Sequence, residues 1–178
     1  MEYHFKENGY TTLAAGKLYH NIGNGNGYKN GWDEYAPVLM NPQGGADKNE
    51  GFLEEVVTQM TDQDLSDWHF VDYAIEQLQK DHEKPFFLVC GLFKPHLSWA
   101  VPQKYYDMFP LETIQLPPYL ENDLDDIPEA GVKMAKPDGD HAKIIKSGRW
   151  KKAIQSYLAS IAYTDMNIGR LLDAFEKS

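Results

Sequence analysis

An α/β domain with a mainly parallel sheet flanked by helices is the fold class this sequence predicts, on three observations. Phe86 to Leu92 form one continuous apolar run, the pattern of a strand covered on both faces. Ahead of it, from about Leu65 to His82, Trp68, Val71, Ala74, Ile75 and Leu78 recur at three- and four-residue spacing, as they would on one helix face. Behind it, Ile154, Leu158, Ile161, Ile168, Leu171, Leu172 and Phe175 make a helical stripe from about Trp150 to Glu176.

The remaining elements follow in chain order. Residues 1 to 8 read as the end of a short helix stopped by Asn8-Gly9, and Tyr10 to Ala15 as a short strand, with Gly16 allowing a sharp turn after it. From Asn21 to Gly51 glycine is frequent and aromatic residues are scattered, which predicts a long irregular excursion. Thr61-Asp-Gln-Asp64 offers N-cap residues for the helix that starts near Leu65. Pro102 opens a short helix to about Met108, and Pro110 to Gly148 shows no sustained periodicity, so a second surface excursion is expected. On the last helix Asp165 falls among the apolar positions, where a carboxylate needs hydrogen-bonding partners; a structural role is expected of it. Two confident strands do not make a whole sheet, and the chain reads as one incomplete domain over 1–178.

Length and composition suit a folded domain: 178 residues, 42% hydrophobic and 25% charged. With 17 basic and 27 acidic residues the net charge is −10, which argues against nucleic acid or an anionic membrane as the main partner. No apolar stretch approaches the ~20 residues a transmembrane helix needs, and the polar start Met1-Glu-Tyr-His-Phe-Lys lacks a signal-peptide core. The single cysteine, Cys90, lies in the apolar run and reads as a buried structural thiol. Nothing in the sequence fixes the oligomeric state.

Two short motifs carry chemistry. Lys94-Pro95-His96 follows the apolar strand, and the proline favours an extended Lys94, which predicts that the two side chains, two apart, project to the same side. Gly16-Lys17-Leu-Tyr-His20 follows the other predicted strand, with a cation and an imidazole three apart. Ligands of open α/β sheets bind beyond the carboxyl ends of strands, and a cation beside an imidazole suits an oxyanion such as sulfate or phosphate. Either motif alone also describes a turn with solvated side chains; the two together, in an acidic protein, point to an anion pocket. Trp32 and Trp99 are candidates for stacking on a substrate ring, with loop anchoring as the competing role.

In order and spacing these segments resemble type I sulfatases of the iduronate-2-sulfatase and choline-sulfatase kind. Phe5-Lys-Glu-Asn-Gly-Tyr-Thr-Thr-Leu-Ala-Ala-Gly-Lys-Leu-Tyr-His20, Pro85-Phe-Phe-Leu-Val with Lys94-Pro-His96, Tyr105 to Pro110, and Ser156 to Asp165 with Ile168-Gly-Arg-Leu-Leu172 each look like a segment of that family. The resemblance implies a partial alkaline-phosphatase-like sandwich and hydrolysis of the sulfate ester of a sugar or small alcohol. It implies Ca²⁺ in the full-length protein, and a formylglycine nucleophile that attacks sulfur. Lys17, His20 and His96 fall on catalytic positions: Lys17 to bind sulfate, His20 to orient or deprotonate the nucleophile, His96 to donate to sulfate or the leaving oxygen. Lys94, Trp99 and Trp32 are substrate-binding candidates. A periplasmic, secreted or lysosomal location is implied by the same resemblance.

The departures set the limits of that reading. No Cys-x-Pro-x-Arg or Ser-x-Pro-x-Arg is present, since Cys90 is followed by Gly-Leu-Phe-Lys. Asp125-Asp126 and Gly139-Asp140-His141 stand at the wrong places in the order for the family's metal motifs, so no metal ligand is assigned. The expectation is a middle portion of a sulfatase domain, inactive alone, whose partner is a sulfated small molecule or glycan. A phosphonate or phosphodiester hydrolase of the same superfamily, and a non-catalytic remnant that binds sulfated glycans, are the alternatives.

Overall fold

The structure, a computed structural model, describes residues 1–19, 31–36 and 59–178. In chain order it comprises α1 (Glu2–Glu7), β1 (Thr11–Gly16), β2 (Glu34–Tyr35), α2 (Ser66–Gln79), β3 (Phe86–Gly91), α3 (Gln103–Asp107), α4 (Glu129–Ala135), α5 (Asp140–Lys146) and α6 (Trp150–Phe175). Short 3-10 turns precede α2 at Asp62–Asp64 and follow α3 at Leu111–Thr113. Most of the predicted excursion from Asn21 to Gly51 lies outside the described residues.

The three strands are parallel, in the order β2-β1-β3, with β1 and β3 paired from Thr11 opposite Phe86 to Gly16 opposite Gly91. Parallel neighbours need a crossover, and α2 lies on the path between them. Helix α1 ends where Asn8-Gly9 predicts, with Gly9 at φ +86°, and the chain turns directly into β1.

Burial falls differently on the two predicted strands than their hydrophobicity suggests. The small residues Thr12 to Gly16 of β1 are buried because strands flank it on both sides. The apolar β3 is outermost among the described strands and half-buried at all six positions. Alternation puts successive β3 side chains on opposite faces. Cys90 packs with Ala15, Ala36, Phe70 and Tyr73 on the α2 side. Phe87, on the other face, stacks on Phe5 of α1 at 4.1 Å and on Trp32 at 5.9 Å between ring centres.

The two-residue β2, which the sequence does not announce, is anchored by polar contacts just ahead of it as well as by the packing of Trp32 and Ala36. Buried Thr12 donates its hydroxyl to the carbonyl of Gly31 at 3.0 Å, and its amide donates to the Asp33 carboxylate at 2.9 Å. Lys6 closes the cluster 2.6 Å from Asp33, and its ammonium, with the Thr12 amide, holds the Asp33 carboxyl below the usual carboxylate range.

Leu65, Val101, Tyr105, Tyr106, Ala159 and Tyr163 form a second core, between the start of α2, α3 and α6. Thr61–Asp64 turns out not to cap α2. Its Asp64 carboxylate instead accepts from the Thr61 amide and hydroxyl at 2.7 and 2.8 Å across the 3-10 turn, and α2 begins two residues later. The apolar stripe expected to bury α6 is also corrected. Ile161, Ile168, Leu172 and Phe175 are exposed, whereas Ala153, Ser156, Ala159, Ser160, Tyr163 and Asn167 are buried. A face of mostly small side chains lets α6 lie close against α2 and leaves room for the Tyr163 ring. Asp165, on the far side from these, is exposed and does not need the partners a buried carboxylate would. The second predicted excursion carries two short helices, α4 and α5, neither with a buried residue.

Candidate active site

The two basic motifs leave the sheet at one place. Gly16 and Gly91 are register partners at the last position of β1 and β3, and the Lys17 amide donates to the Gly91 carbonyl at 2.8 Å. Gly16 has φ +76°, and a Cβ there would run into the Gly91 carbonyl oxygen; a Cβ on Gly91 would run into the carbonyl of Lys17. Only a pair of glycines lets the strand exits cross so closely. As a result the Lys17 ammonium lies 4.7 Å from the centre of the Phe93 ring, and that ring lies 5.0 Å from the imidazole of His96 at an interplanar angle of 50°. A cation and an imidazole thus share one aromatic ring at the C-terminal edge of a parallel sheet, where open α/β folds bind ligands.

Lys94 goes elsewhere. It is 5% exposed and its ammonium donates to the carbonyl of Ser98, while His96 is exposed with Nδ1 2.7 Å from the Leu97 carbonyl. The side-by-side arrangement expected from Lys-Pro-His does not form, because the Ser98 carbonyl draws the Lys94 side chain inward. Lys17, not Lys94, is the lysine that shares a ring contact with His96, through Phe93.

Asp67, in the first turn of α2, was not singled out by the sequence. It is 2% exposed, and its two carboxylate oxygens accept from the amides of Phe93 at 2.7 Å and Lys94 at 2.8 Å. Burial pushes its pKa upward, against the two amide hydrogen bonds and the Lys94 charge. An acid at the start of a helix reads locally as an ordinary helix-start residue, so no nearby signal reveals a bond spanning 26 residues.

The aromatic candidates are held by the scaffold. Trp99 donates its indole N–H to the Pro95 carbonyl at 2.9 Å, sits 5.5 Å from the Tyr157 ring, and remains partly exposed beside the Lys-Pro-His segment. Trp32 is buried, donates to the Tyr19 hydroxyl at 3.1 Å and spends its ring on Phe87. His20 lies outside the described residues.

Among the described residues no group of three or more His, Cys, Asp or Glu side chains comes together to hold a metal ion. Asp140 faces Lys143, His141 packs against the Trp150 ring, and Asp125-Asp126 occupy an exposed turn. Cys90 sits inward of the site with its thiol pushed up to about 11 by burial and by the Asp67 charge, which keeps it protonated and unreactive near neutrality.

A parallel sheet flanked by helices is consistent with part of an alkaline-phosphatase-like sandwich, and the chain belongs to the sulfatase family, whose profile, Sulfatase, matches residues 3–178. Among individual proteins, one named Sulfatase from Formosa agariphila is 36% identical over 197 residues, covering 98% of this chain and 38% of that protein. Iduronate 2-sulfatase from Homo sapiens is 29% identical, covering 97% of this chain and 36% of its own length, and that of Mus musculus is 28% identical with the same coverage. The chain therefore spans a little over a third of the length of these relatives. No helix among the described residues is long and apolar enough to cross a membrane.

Proposed function

We propose that this chain supplies the sulfate-binding side of a sulfuric ester hydrolase site, acting on a sulfated sugar or small alcohol. The observation that carries the reading is the shared Phe93 ring, with the Lys17 ammonium over it and the His96 imidazole against it. An ammonium and an imidazole N–H held at one aromatic ring suit a tetrahedral oxyanion, and the Lys17 charge opposes the negative charge that builds on oxygen as the ester bond breaks. Lys17 holds sulfate oxygens and His96 donates to sulfate or to the leaving oxygen; His20, from the same motif as Lys17, assists the nucleophile. Trp99, half-open beside them, is the better placed of the two tryptophans to meet the alcohol part of the ester.

In this reading the nucleophile and the metal ligands lie on segments outside these 178 residues: no Cys/Ser-x-Pro-x-Arg motif is present, Cys90 is a shielded thiol, and Asp125-Asp126 and Asp140-His141 stand at the wrong places in the order for the family's metal motifs. Ca²⁺ and formylglycine, and a periplasmic, secreted or lysosomal site of action, belong to this reading through the family resemblance. Family membership favours sulfate over the phosphonate and phosphodiester alternatives.

The test is direct. Sulfate titrated into the 178-residue protein, followed through the His96 ring protons by NMR, should give saturable binding that Lys17→Ala weakens by about tenfold, the loss of one charged hydrogen bond. Aryl- and sugar-sulfate hydrolysis, with and without Ca²⁺, should stay at background. Absence of sulfate binding overturns the pocket; robust turnover overturns the assignment of the nucleophile to other segments.

A further inference from the structure

We infer that Asp67 is the positioning residue of this site, clamping the exit of β3 so that Phe93 can seat Lys17 and His96 together. The inference rests on the anion-site reading for its functional meaning, but its geometry stands separately.

Three features carry it. Asp67 reaches the Phe93–Lys94 backbone from a different element, with one oxygen per amide at 2.7 and 2.8 Å, so both acceptors are committed to consecutive N–H groups. A carboxylate 2% exposed is expensive unless such partners satisfy it, so the arrangement tolerates little displacement. The clamped amides are those of Phe93, whose ring meets both basic groups, and of Lys94, which begins the Lys-Pro-His segment. β1 is fixed on the other side by the Lys17 amide to the Gly91 carbonyl. The Phe93 backbone is thus held between α2 and the sheet, and its ring direction is set from outside its own loop. An isosteric Asn offers one acceptor oxygen and one NH₂, and the NH₂ would face a backbone N–H that needs an acceptor.

The experiment compares wild-type chain with Asp67→Asn and Asp67→Glu by NMR. Ring currents from Phe93 should shift the Lys17 ε-protons and the His96 ring protons in the wild type. Asp67→Asn should abolish these shifts and weaken sulfate binding by about tenfold, while the edge-to-face pair Tyr105–Tyr163, in the other core, keeps its shifts. Asp67→Glu, which keeps both oxygens, should recover part of each. A folded Asp67→Asn protein with unchanged Lys17 and His96 shifts, or with lost shifts and unchanged sulfate affinity, overturns the inference. If Asp67→Asn does not fold, wild-type hydrogen exchange decides. Protection of the Phe93 and Lys94 amides comparable to that within β3 supports the clamp, and exchange at loop rates overturns it. A wild-type chain that ignores sulfate removes the anion-site reading, while the ring-current comparison still judges the clamp.

Discussion

Gly16 and Gly91 face each other as the last register pair of β1 and β3, and each stands where a Cβ on either would strike the other segment's backbone. Gly16→Ala combines a left-handed φ of +76° with that collision. Gly9, at φ +86°, has nothing within 4 Å of its would-be Cβ. Gly9→Ala should lose about 1 kcal/mol, the backbone term alone, and Gly16→Ala distinctly more, about 3 kcal/mol. Urea midpoints of the two variants check this; equal losses would mean that the strand exits can part without penalty.

Arg170 ties α6 to α2 through two contacts and is braced by a third within α6. Its guanidinium carbon lies 3.3 Å from the centre of the Trp68 ring, and it pairs with Asp72 and donates to the Asn167 side chain at 3.1 Å. Arg170→Ala should lower stability by about 1–2 kcal/mol, and Arg170→Lys should recover little, because an ammonium cannot stack flat and fork to two acceptors together. Chemical denaturation of both variants reads the difference.

Ser160 is fully buried on α6, and its hydroxyl has no hydrogen-bond partner among the described residues. Ser160→Ala removes a buried polar group and adds helix propensity, so stability should hold or rise by up to about 1 kcal/mol. A lowered melting temperature would contradict this.

Cys90 should resist alkylation at pH 8 in the folded protein and react once urea unfolds it. Its thiol titrates at about 11 when folded against the usual 9.0. The folded state therefore keeps its proton longer than the unfolded chain does. The associated stability is present below pH 9 and is lost as pH rises from there toward 11. Tyr73, Tyr105 and Tyr163 are shifted upward as well, so the measurement is the difference in alkaline stability between wild type and Cys90→Ala.

The elements with a strong period were legible. The strand expected over Tyr10 to Ala15 is Thr11–Gly16, the apolar run is a strand over Phe86–Gly91, and the last helix runs Trp150–Phe175 against an expected Trp150 to Glu176. Elements that bury little left no such period: α4 and α5 have no buried residue, and β2 is two residues tied down by Thr12 and Asp33. The face of α6 was misread because its exposed Ile161, Ile168, Leu172 and Phe175 outweigh, on any hydrophobicity count, the alanines and serines that are packed. At the site, Lys17 and His96 could be named from short motifs, but Phe93 and Asp67 could not. Their importance arises from contacts between segments far apart in the chain, and an apolar residue after a strand or an acid opening a helix carries no local mark of such a contact.

The Phe93 ring has one more consequence. Among the described residues no carboxylate pairs with Lys17. A salt bridge would hold a lysine in place by cancelling its charge, whereas the face of an aromatic ring restrains the ammonium and leaves most of that charge unspent. Among the described residues this leaves the Lys17 charge at the sheet edge with no anion already bound to it, in a protein whose net charge is −10.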